Sequence, residues 1–383
     1  MKLDMKRVLP LLLIVCMLLC ACTQKAPDQT TKAPETTTVP PAVTTIPPAE
    51  TTEQTTIPEV TDVTVEETTA PQEQIVAFRH PLNGMPLEEP CTLRPFAITI
   101  NNQSGALPVC SLSSADMMVE ILAEGGITRF LGIYSDISEL DHIGSIRSTR
   151  PYLVDLAESF DAIYVHHGGS RDGYNEIYNL GMDYMDAIKN AGGYYYRDQY
   201  RLDAGYDLEH TSFADGADLI DGAADLGYSL VREDGIDYGY QFAEFGSTLD
   251  GESAMQMEVV FGDYGKTTTI SYQEDSGVYV LGEYGDTIVD GNNDKALAFR
   301  NVIYLTAETY EYVDRDNVIR MHITLTGEGD GYFACDGKVV PIRWSRSGDE
   351  EPFVFTHDDG TPITLGVGNT YVAVTPWDGA LEY

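Results

Sequence analysis

The pattern of apolar and polar positions changes along the chain, and its first folded half mixes strand and helix periods. Strands are predicted in 94–102 and 161–167, and a hairpin in 118–134. Helices are predicted from Pro151, in 174–189 and in 212–228. Pro151 suits a first helical turn because that turn needs no backbone N–H. The mixed order predicts an α+β fold.

After residue 255 the pattern changes to short runs of period two, broken by Gly-rich and Asp-Gly turns. Such runs predict an all-β region. We therefore expect a mixed α/β N-terminal domain over residues 75–240, followed by a smaller all-β C-terminal domain over residues 255–383. The Gly-, Asp- and Glu-rich stretch 232–254 is the predicted junction.

The amino terminus has the pattern of a bacterial lipoprotein signal peptide over residues 1–21. A net-positive start precedes an apolar run that is too short to span a bilayer, and "LCAC" then resembles a lipobox ending at Cys22. We expect Cys22 to carry a diacylglycerol thioether and an amide-linked chain such as palmitate, which together anchor stably. This predicts a protein held by lipid at the outer face of the bacterial cytoplasmic membrane. The alternatives are an ordinary signal peptide or an uncleaved anchor.

The segment after the lipidated cysteine predicts a disordered tether over residues 22–74. It is rich in threonine and proline and contains no aromatic residue, so it cannot bury enough apolar surface to fold. The tether would hold a folded body away from the membrane.

Charge and cysteine content narrow the partners. The chain carries 23 Lys and Arg against 61 Asp and Glu, a net charge of -38, which repels nucleic acid and excludes it as a direct partner. Beyond Cys22, three cysteines follow: Cys91, Cys110 and Cys335. A Cys91–Cys110 disulfide and three buried thiols are both open at this stage.

The hairpin carries the first candidate site. With a turn at Gly125-Gly126, Leu122 is expected opposite Arg129, and alternation places Glu120, Glu124 and Arg129 on one face. One hypothesis is a catalytic acid/base carboxylate tuned by its neighbours. The other, which we favour, is a cross-strand ion-pair cluster.

The second candidate is "RSTR", just before Pro151. Arg147, Ser148 and Arg150 combine guanidinium and hydroxyl groups with the first turn of a helix, a combination that suits a phosphate or carboxylate. Other arginines gather in the same half of this acidic chain: Arg94, Arg171, Arg197 and Arg201. The alternative is that these arginines neutralise nearby acidic residues.

The third candidate is "HHGGS". His166 and His167 point to opposite faces of a strand, and Gly168-Gly169 then lets the chain turn before Ser170. Acid/base catalysis by the histidines and binding by Ser170 and His210 are hypotheses; a strand end with satisfied histidines is the plain alternative. The sequence contains no HExxH, Cys-x-x-Cys, phosphate-loop or dinucleotide motif, and predicts neither metal nor cofactor.

With these motifs in view, the chain resembles the YerB-like lipoproteins, a bacterial family classed as a domain of unknown function. The resemblance rests on "RPFAITINN", "SLSSADMMVEILAEGGITRFLGIYSD", "IGSIRSTRPYLVDLAESFDAIYVHHGGS" and, late in the chain, "GYFACDGKVVPIRWSR" and "TPITLGVGNTYVAVTP". The family has Gly-Pro where this chain has Gly144-Ser145. The resemblance implies a lipid-anchored, two-domain extracytoplasmic protein and implies no reaction.

Three functions follow as hypotheses. The leading one is a lipid-anchored envelope protein that binds an anionic wall ligand, or an envelope protein partner, through the Arg/Glu/His cluster. The second is a hydrolase or transferase on cell-wall material, with Glu120 or Glu124 and His166 or His167 as acid/base residues. The third is a structural or assembly lipoprotein. A cleft lined by Glu120, Arg129, Arg147, Arg150 and a histidine would favour a site; scattered positions would favour the third.

Overall fold

The most apolar segments of the chain form the middle of one large sheet, where every residue of several strands is buried. Such strands carry continuous apolar runs because both of their faces are covered. The computed structural model describes residues 78–232, 238–244 and 249–383. These residues belong to one compact unit, Pro71–Tyr383. The predicted signal peptide, Cys22 and the whole predicted tether lie outside the described residues.

The first part of the chain mixes strands and helices. The strands are β1 (Phe78–Arg79), β2 (Pro86–Leu87), β3 (Phe96–Asn102), β4 (Met117–Leu122), β5 (Thr128–Tyr134), β6 (Ile143–Gly144), β7 (Ile163–His166), β8 (Tyr184–Asp186), β9 (Tyr196–Arg197) and β10 (Ser212–Ala214). The α-helices are α1 (Pro151–Glu158), α2 (Arg171–Leu180), α3 (Gln199–Asp203) and α4 (Gly216–Asp225). Short 3-10 turns cover Ser104–Ala106, Leu112–Ser114, Glu124–Gly126, Gly192–Tyr194 and Leu208–His210.

The later part consists of strands and one 3-10 turn, Gly262–Tyr264, among its described residues. The strands are β11 (Gln241–Phe242), β12 (Glu252–Ser253), β13 (Gln256–Val260), β14 (Thr267–Gln273), β15 (Val278–Glu283), β16 (Asp286–Thr287), β17 (Ala298–Phe299), β18 (Asn301–Ala307), β19 (Thr309–Val313), β20 (Ile319–Ile323), β21 (Gly327–Cys335), β22 (Lys338–Arg346), β23 (Val354–Thr356), β24 (Thr364–Leu365), β25 (Thr370–Pro376) and β26 (Ala380–Glu382).

Strands from both parts pair in the large mixed sheet, in the order β12-β22-β21-β18-β25-β4-β5-β3-β7-β8, with β23 on β22. The junction is the parallel pairing of β25 with β4, in which Val372 lies beside Val119. A second sheet has the order β16-β15-β14-β13-β26, with β17 on β15. The mixed, strand-rich content that the sequence predicts is confirmed, and the two predicted segments share one sheet.

The smaller elements place the loops near the candidate residues. Strands β6, β10 and β9 form a three-stranded sheet. Helix α1 begins at Pro151, as predicted, and buries Leu153, Val154 and Leu156. Helix α2 begins after Ser170, whose side-chain oxygen accepts a hydrogen bond from the Gly173 N–H, and it ends at Gly181 in the left-handed conformation.

Three predicted elements differ from the structure. The predicted helix over 174–189 ends at Leu180, and part of its remainder forms β8. The predicted helix over 212–228 begins at Gly216, because Ser212–Ala214 pairs as β10 with β6 and β9. The hairpin forms, but Ile121 rather than Leu122 lies opposite Arg129.

Two further findings concern the described residues alone. No helix among them is long and apolar enough to cross a membrane. Cys91, Cys110 and Cys335 are free thiols, so the disulfide that the sequence left open is not formed.

Candidate functional site

The hairpin register separates the three residues that alternation had placed together. Glu120 lies opposite Phe130 and Arg129 lies opposite Ile121, so Glu120 and Arg129 point to opposite faces of the sheet. The predicted common face of Glu120, Glu124 and Arg129 is therefore wrong. The turn is a 3-10 turn that includes Glu124, and it shifts the pairing by one residue.

Glu120 belongs to a buried polar network. One carboxylate oxygen accepts hydrogen bonds from Thr128 Oγ1 (2.6 Å) and Asn102 Nδ2 (3.1 Å). The other accepts from Tyr371 OH (2.6 Å) and Thr268 Oγ1 (3.0 Å). The side chain is fully buried. With its acceptors occupied, Glu120 holds strands together and is remote from any cleft that the histidines line.

The same network contains a second carboxylate and a lysine. Lys266 Nζ lies 3.8 Å from Glu120 Oε1 and forms a close ion pair with Glu283. Burial raises the pKa of the Glu283 carboxyl, the Glu120 charge adds to the rise, and the Lys266 ammonium opposes it. Asn102 Nδ2 also donates to Glu283 Oε1, at 2.7 Å.

Glu124 and Arg150 form a bidentate ion pair. Arg150 Nε and Nη2 donate to the two Glu124 oxygens at 2.5 and 2.7 Å. Burial acts to raise the pKa of Glu124, but the Arg150 hydrogen bonds and the positive charges of Arg150 and Arg129 outweigh it and hold the pKa below its usual value. Arg150 is thus occupied by a carboxylate of this chain rather than presented to a ligand.

Arg129 lies behind the "RSTR" turn. Its Nη1 donates to the Ser148 carbonyl oxygen at 2.7 Å, and its side chain is almost fully buried. Burial, followed by the nearby Arg150 charge, lowers the pKa of Arg129 to about 10. Arg129 therefore supports the turn that carries Ser148 from within.

A surface cleft of about 700 Å³ brings together part of the predicted set. We call it the Arg147–Arg197 cleft. It is lined by Arg147, Ser148 and His167, which the sequence singled out as site residues, and by Arg197, Glu209 and Ser212, which it did not. From the sequence, a single site would be one cleft lined by Glu120, Arg129, Arg147, Arg150 and a histidine. Of these five, only Arg147 and a histidine, His167, line the cleft.

The two arginines of the cleft reach neighbouring backbone carbonyls. Arg197 Nη1 donates to the Leu208 oxygen at 2.8 Å, and Arg147 Nη1 donates to the Glu209 oxygen at 3.3 Å. The Glu209 carboxylate, itself 52% exposed, lies 3.4 Å from Arg147 Nη1. No carboxylate forms an ion pair with Arg197 in the described part of the chain. The Nε atom of Arg147 is buried and has no hydrogen-bond partner there either.

His167 lies between Arg197 and Ser212. Arg197 Nη2 donates to His167 Nε2 at 3.2 Å, because a guanidinium has no acceptor. The ring proton is then on Nδ1, which donates to Ser212 Oγ at 2.6 Å. Burial, then the charges of Arg197 and Arg147, lower the pKa of His167 and keep the ring neutral. The Ser212 hydroxyl hydrogen stays free to donate to a ligand.

His166 and Ser170 lie outside the cleft. His166 is fully buried, donates from Nδ1 to the Gly168 oxygen at 2.8 Å, and is flanked by the rings of Tyr164 and Tyr184. Burial lowers its pKa to about 4. Ser170 is the N-cap of α2, so its oxygen is already an acceptor.

His210 is buried behind the rim of the cleft. Its Nδ1 accepts from Asn101 Nδ2 at 2.8 Å, and burial lowers its pKa. This is the arrangement of a satisfied structural histidine.

Asp186 positions the glycine turn of the cleft and was not predicted. Its buried Oδ1 accepts from the N–H groups of Gly168 (2.7 Å) and Ile188 (3.1 Å), and its Oδ2 accepts from Tyr174 OH (2.6 Å). Gly168 has a φ of +67°, and a Cβ there would lie 3.0 Å from Ile188 Cδ1. In the sequence, only the aspartate itself could have pointed to this role, and it lies in the segment 174–189 that is predicted as helix.

The described residues contain no group of three or more His, Cys, Asp or Glu side chains placed to hold a metal ion. The chemistry available in the cleft is hydrogen bonding and charge pairing from two guanidiniums and a hydroxyl. Glu120 and Glu124 each belong to other networks, so neither stands beside His166 or His167 as an acid/base partner.

Comparison with known proteins gives two family matches and one relative with a solved structure. Residues 82–229 match "Protein of unknown function (DUF3048) N-terminal domain", and residues 257–372 match the corresponding C-terminal domain. "Putative lipoprotein YerB" of Bacillus subtilis (strain 168) is 29% identical over 306 residues, which covers 78% of this chain and 86% of that protein. The crystal structure of YerB protein from Bacillus subtilis matches with a TM-score of 0.68 and 26% identity, over 80% of this chain and 99% of that one.

Proposed function

Because the chain belongs to the YerB-like family, with its DUF3048 N- and C-terminal domains, we propose that it is an envelope lipoprotein that binds an anionic ligand in the Arg147–Arg197 cleft. The anchor is lipid on Cys22, at the outer face of the cytoplasmic membrane. The ligand is a phosphate or carboxylate group of a wall polymer or of peptidoglycan.

The observation that carries this proposal is the state of Arg197. In a chain of net charge -38, carboxylates are abundant, yet this guanidinium is held by the Leu208 carbonyl and a neutral His167. An arginine kept from carboxylates at a cleft surface is free to pair with an external anion. The Ser212 hydroxyl, which also lines the cleft, adds a donor.

Glu209 supports the same assignment. Its exposed carboxylate pairs with Arg147, so it stands where an incoming anion would bind. Exposed ion pairs contribute little, about 0–1 kcal/mol, so an anion with two good acceptors can displace it. The glutamate then acts as a weak internal competitor.

The test is titration calorimetry on the mature chain carrying Cys22→Ser, with inorganic phosphate and a glycerol phosphate oligomer as probes. Arg197→Gln should weaken binding at least tenfold, about 1.4 kcal/mol. Glu209→Gln should tighten phosphate binding about threefold, because it removes the competing carboxylate and, since Glu209 is exposed, leaves no buried charge unpaired. Arg343→Gln is the control, because that half-exposed arginine does not line the cleft and pairs with Asp330 on the neighbouring strand β21.

Binding that is equally strong in Arg197→Gln would refute the site. Absence of binding to either probe would refute anion binding and favour the assembly role. Because Glu120 and Glu124 are held in other networks and neither pairs with His166 or His167, binding rather than catalysis is the function that we propose.

A further inference from the structure

The lining of the Arg147–Arg197 cleft combines its polar groups with aliphatic side chains. Ile188 and Leu208 line it with exposed fractions of 64% and 61%. Among the aliphatic side chains of the described residues, only Val313, at 62%, is comparably exposed. Two of the three most exposed aliphatic side chains therefore flank one cleft, and Ile146 lies buried at its base.

The apolar and polar parts of the cleft are adjacent. The position of a Cβ on Gly168 is 3.0 Å from Ile188 Cδ1 and 3.8 Å from Ser148 Oγ, so a methyl group and a hydroxyl meet over that glycine. Leu208, which also lines the cleft, carries the carbonyl that Arg197 binds. A ligand whose anionic group pairs with Arg197 is thereby brought against aliphatic side chains.

These aliphatic positions are set by the backbone. The Ile188 N–H donates to the buried Asp186 carboxylate, and the same oxygen holds the Gly168 N–H. Leu208 begins the 3-10 turn that ends at the buried His210. Exposure at both positions thus belongs to the ordered rim of the cleft.

We propose that the ligand is an amphipathic anion: a phosphate-type head bound by Arg147 and Arg197, with an attached apolar chain lying between Ile188 and Leu208. This inference rests on the proposed anion site and adds the chemical class of its ligand. Burial of the aliphatic surface of these two side chains accounts for a gain over the head group alone. Such a ligand exists either as a free amphipathic phosphate or as the head of a membrane lipid.

The experiment compares inorganic phosphate, hexyl phosphate and hexanol as calorimetric probes of the mature Cys22→Ser chain. Hexyl phosphate should bind about tenfold more tightly than inorganic phosphate, and hexanol should not bind measurably. The double variant Ile188→Ser/Leu208→Ser should bring hexyl phosphate to the affinity of inorganic phosphate and leave the latter within about twofold. Val313→Ser is the matched control, since it removes an equally exposed aliphatic side chain from β19, and it should change neither affinity.

The outcomes separate this inference from the site itself. Equal affinities of the wild-type chain for both phosphates, or an advantage of hexyl phosphate that survives in the double variant, would overturn the apolar assignment while leaving the anion site standing. Binding of neither phosphate would overturn both. Tight binding of hexyl phosphate that Arg197→Gln leaves unchanged would overturn the head-group assignment.

A vesicle arm distinguishes the two sources of the ligand. The Cys22→Ser chain is sedimented with phosphatidylglycerol vesicles, with and without hexyl phosphate. Because the chain carries a net charge of -38, an anionic membrane surface repels it, and we expect it to remain in the supernatant. Sedimentation that hexyl phosphate reverses would identify the head of a membrane lipid as the source, and sedimentation that hexyl phosphate leaves unchanged would overturn the cleft as a lipid site.

Discussion

Replacing Glu120 with Gln should destabilise the protein without touching the cleft. Each carboxylate oxygen of Glu120 accepts two hydrogen bonds. Thr128 and Asn102 donate to one oxygen, and Tyr371 and Thr268 donate to the other. A glutamine keeps the size of the side chain but turns one oxygen into an NH₂ group. That group then faces two donors, in a site with no access to water.

The magnitude follows from the two hydrogen bonds that are lost. Hydrogen bonds to a charged group contribute about 1.5–3 kcal/mol each, and the hydroxyl groups recover part of the loss by rotating. We expect a loss of about 3 kcal/mol in the free energy of unfolding. For a unit of this size such a loss lowers Tm by about 6 °C.

Differential scanning calorimetry and denaturant titration of the purified chain measure the change. Glu311→Gln is the matched control, because Glu311 is exposed on β19; it should stay within about 0.5 kcal/mol of wild type. The phosphate affinity of the folded Glu120→Gln protein should be unaltered. A loss below about 1 kcal/mol would show that the buried carboxylate contributes no more than a neutral amide, and the network would have been misjudged.

The remaining predictions concern charge and targeting. Glu283→Gln should remove a pH dependence of the free energy of unfolding. Because the folded pKa of Glu283 is raised, its stabilising contribution is complete at low pH and is lost as the pH rises through that pKa. In thermal melts from pH 8 towards 5, the stability of wild type relative to the variant should therefore rise by up to about 1.4 kcal/mol per pH unit, and a difference in stability that does not change with pH would contradict this. Arg150→Gln should lower the free energy of unfolding by about 3 kcal/mol in a thermal melt, because Glu124 loses its partner, and should leave the phosphate affinity unchanged. A lower phosphate affinity of the folded variant would show that Arg150 takes part in binding. Cys22→Ser should move the protein from the membrane fraction to the soluble one, and continued pelleting would argue against lipidation. Deletion of residues 23–74 should leave the Tm unchanged, whereas a clear drop would mean that this segment packs on the body.

The sequence predicted element types better than it predicted which side chains meet. Strands β3 and β7, the start of α1 and the hairpin all follow from apolar periodicity and turn residues. The hairpin register did not, because a two-residue Gly-Gly turn and a 3-10 turn that includes Glu124 differ by one position. That single position moves Arg129 to the other face and separates it from Glu120.

The cleft could be predicted only in part for a related reason. Arg147, Ser148 and His167 lie near each other in predicted loops and strand ends, and local chemistry drew attention to them. Arg197 and Ser212 reach the cleft through the pairing of β9 with β10, a contact that no local pattern specifies. Ser212 begins the predicted helix over 212–228 and is a residue type that favours a helix N-cap, but its pairing in β10 overrides that local preference.

The cleft is built from the first family segment, yet its fold depends on the second. Strand β4 is buried along its whole length, and one of its two neighbours is β25, at residues 370–376. Without the second segment, β4 would lose its pairing with β25 and become an exposed, apolar edge strand, and Glu120 would lose the donors Tyr371 on β25 and Thr268 on β14. Both losses fall on the strand that pairs with β5, and β5 carries Arg129, the side chain that supports the Ser148 turn. The second segment therefore supports the structure of the cleft, although the cleft residues come from the first segment alone.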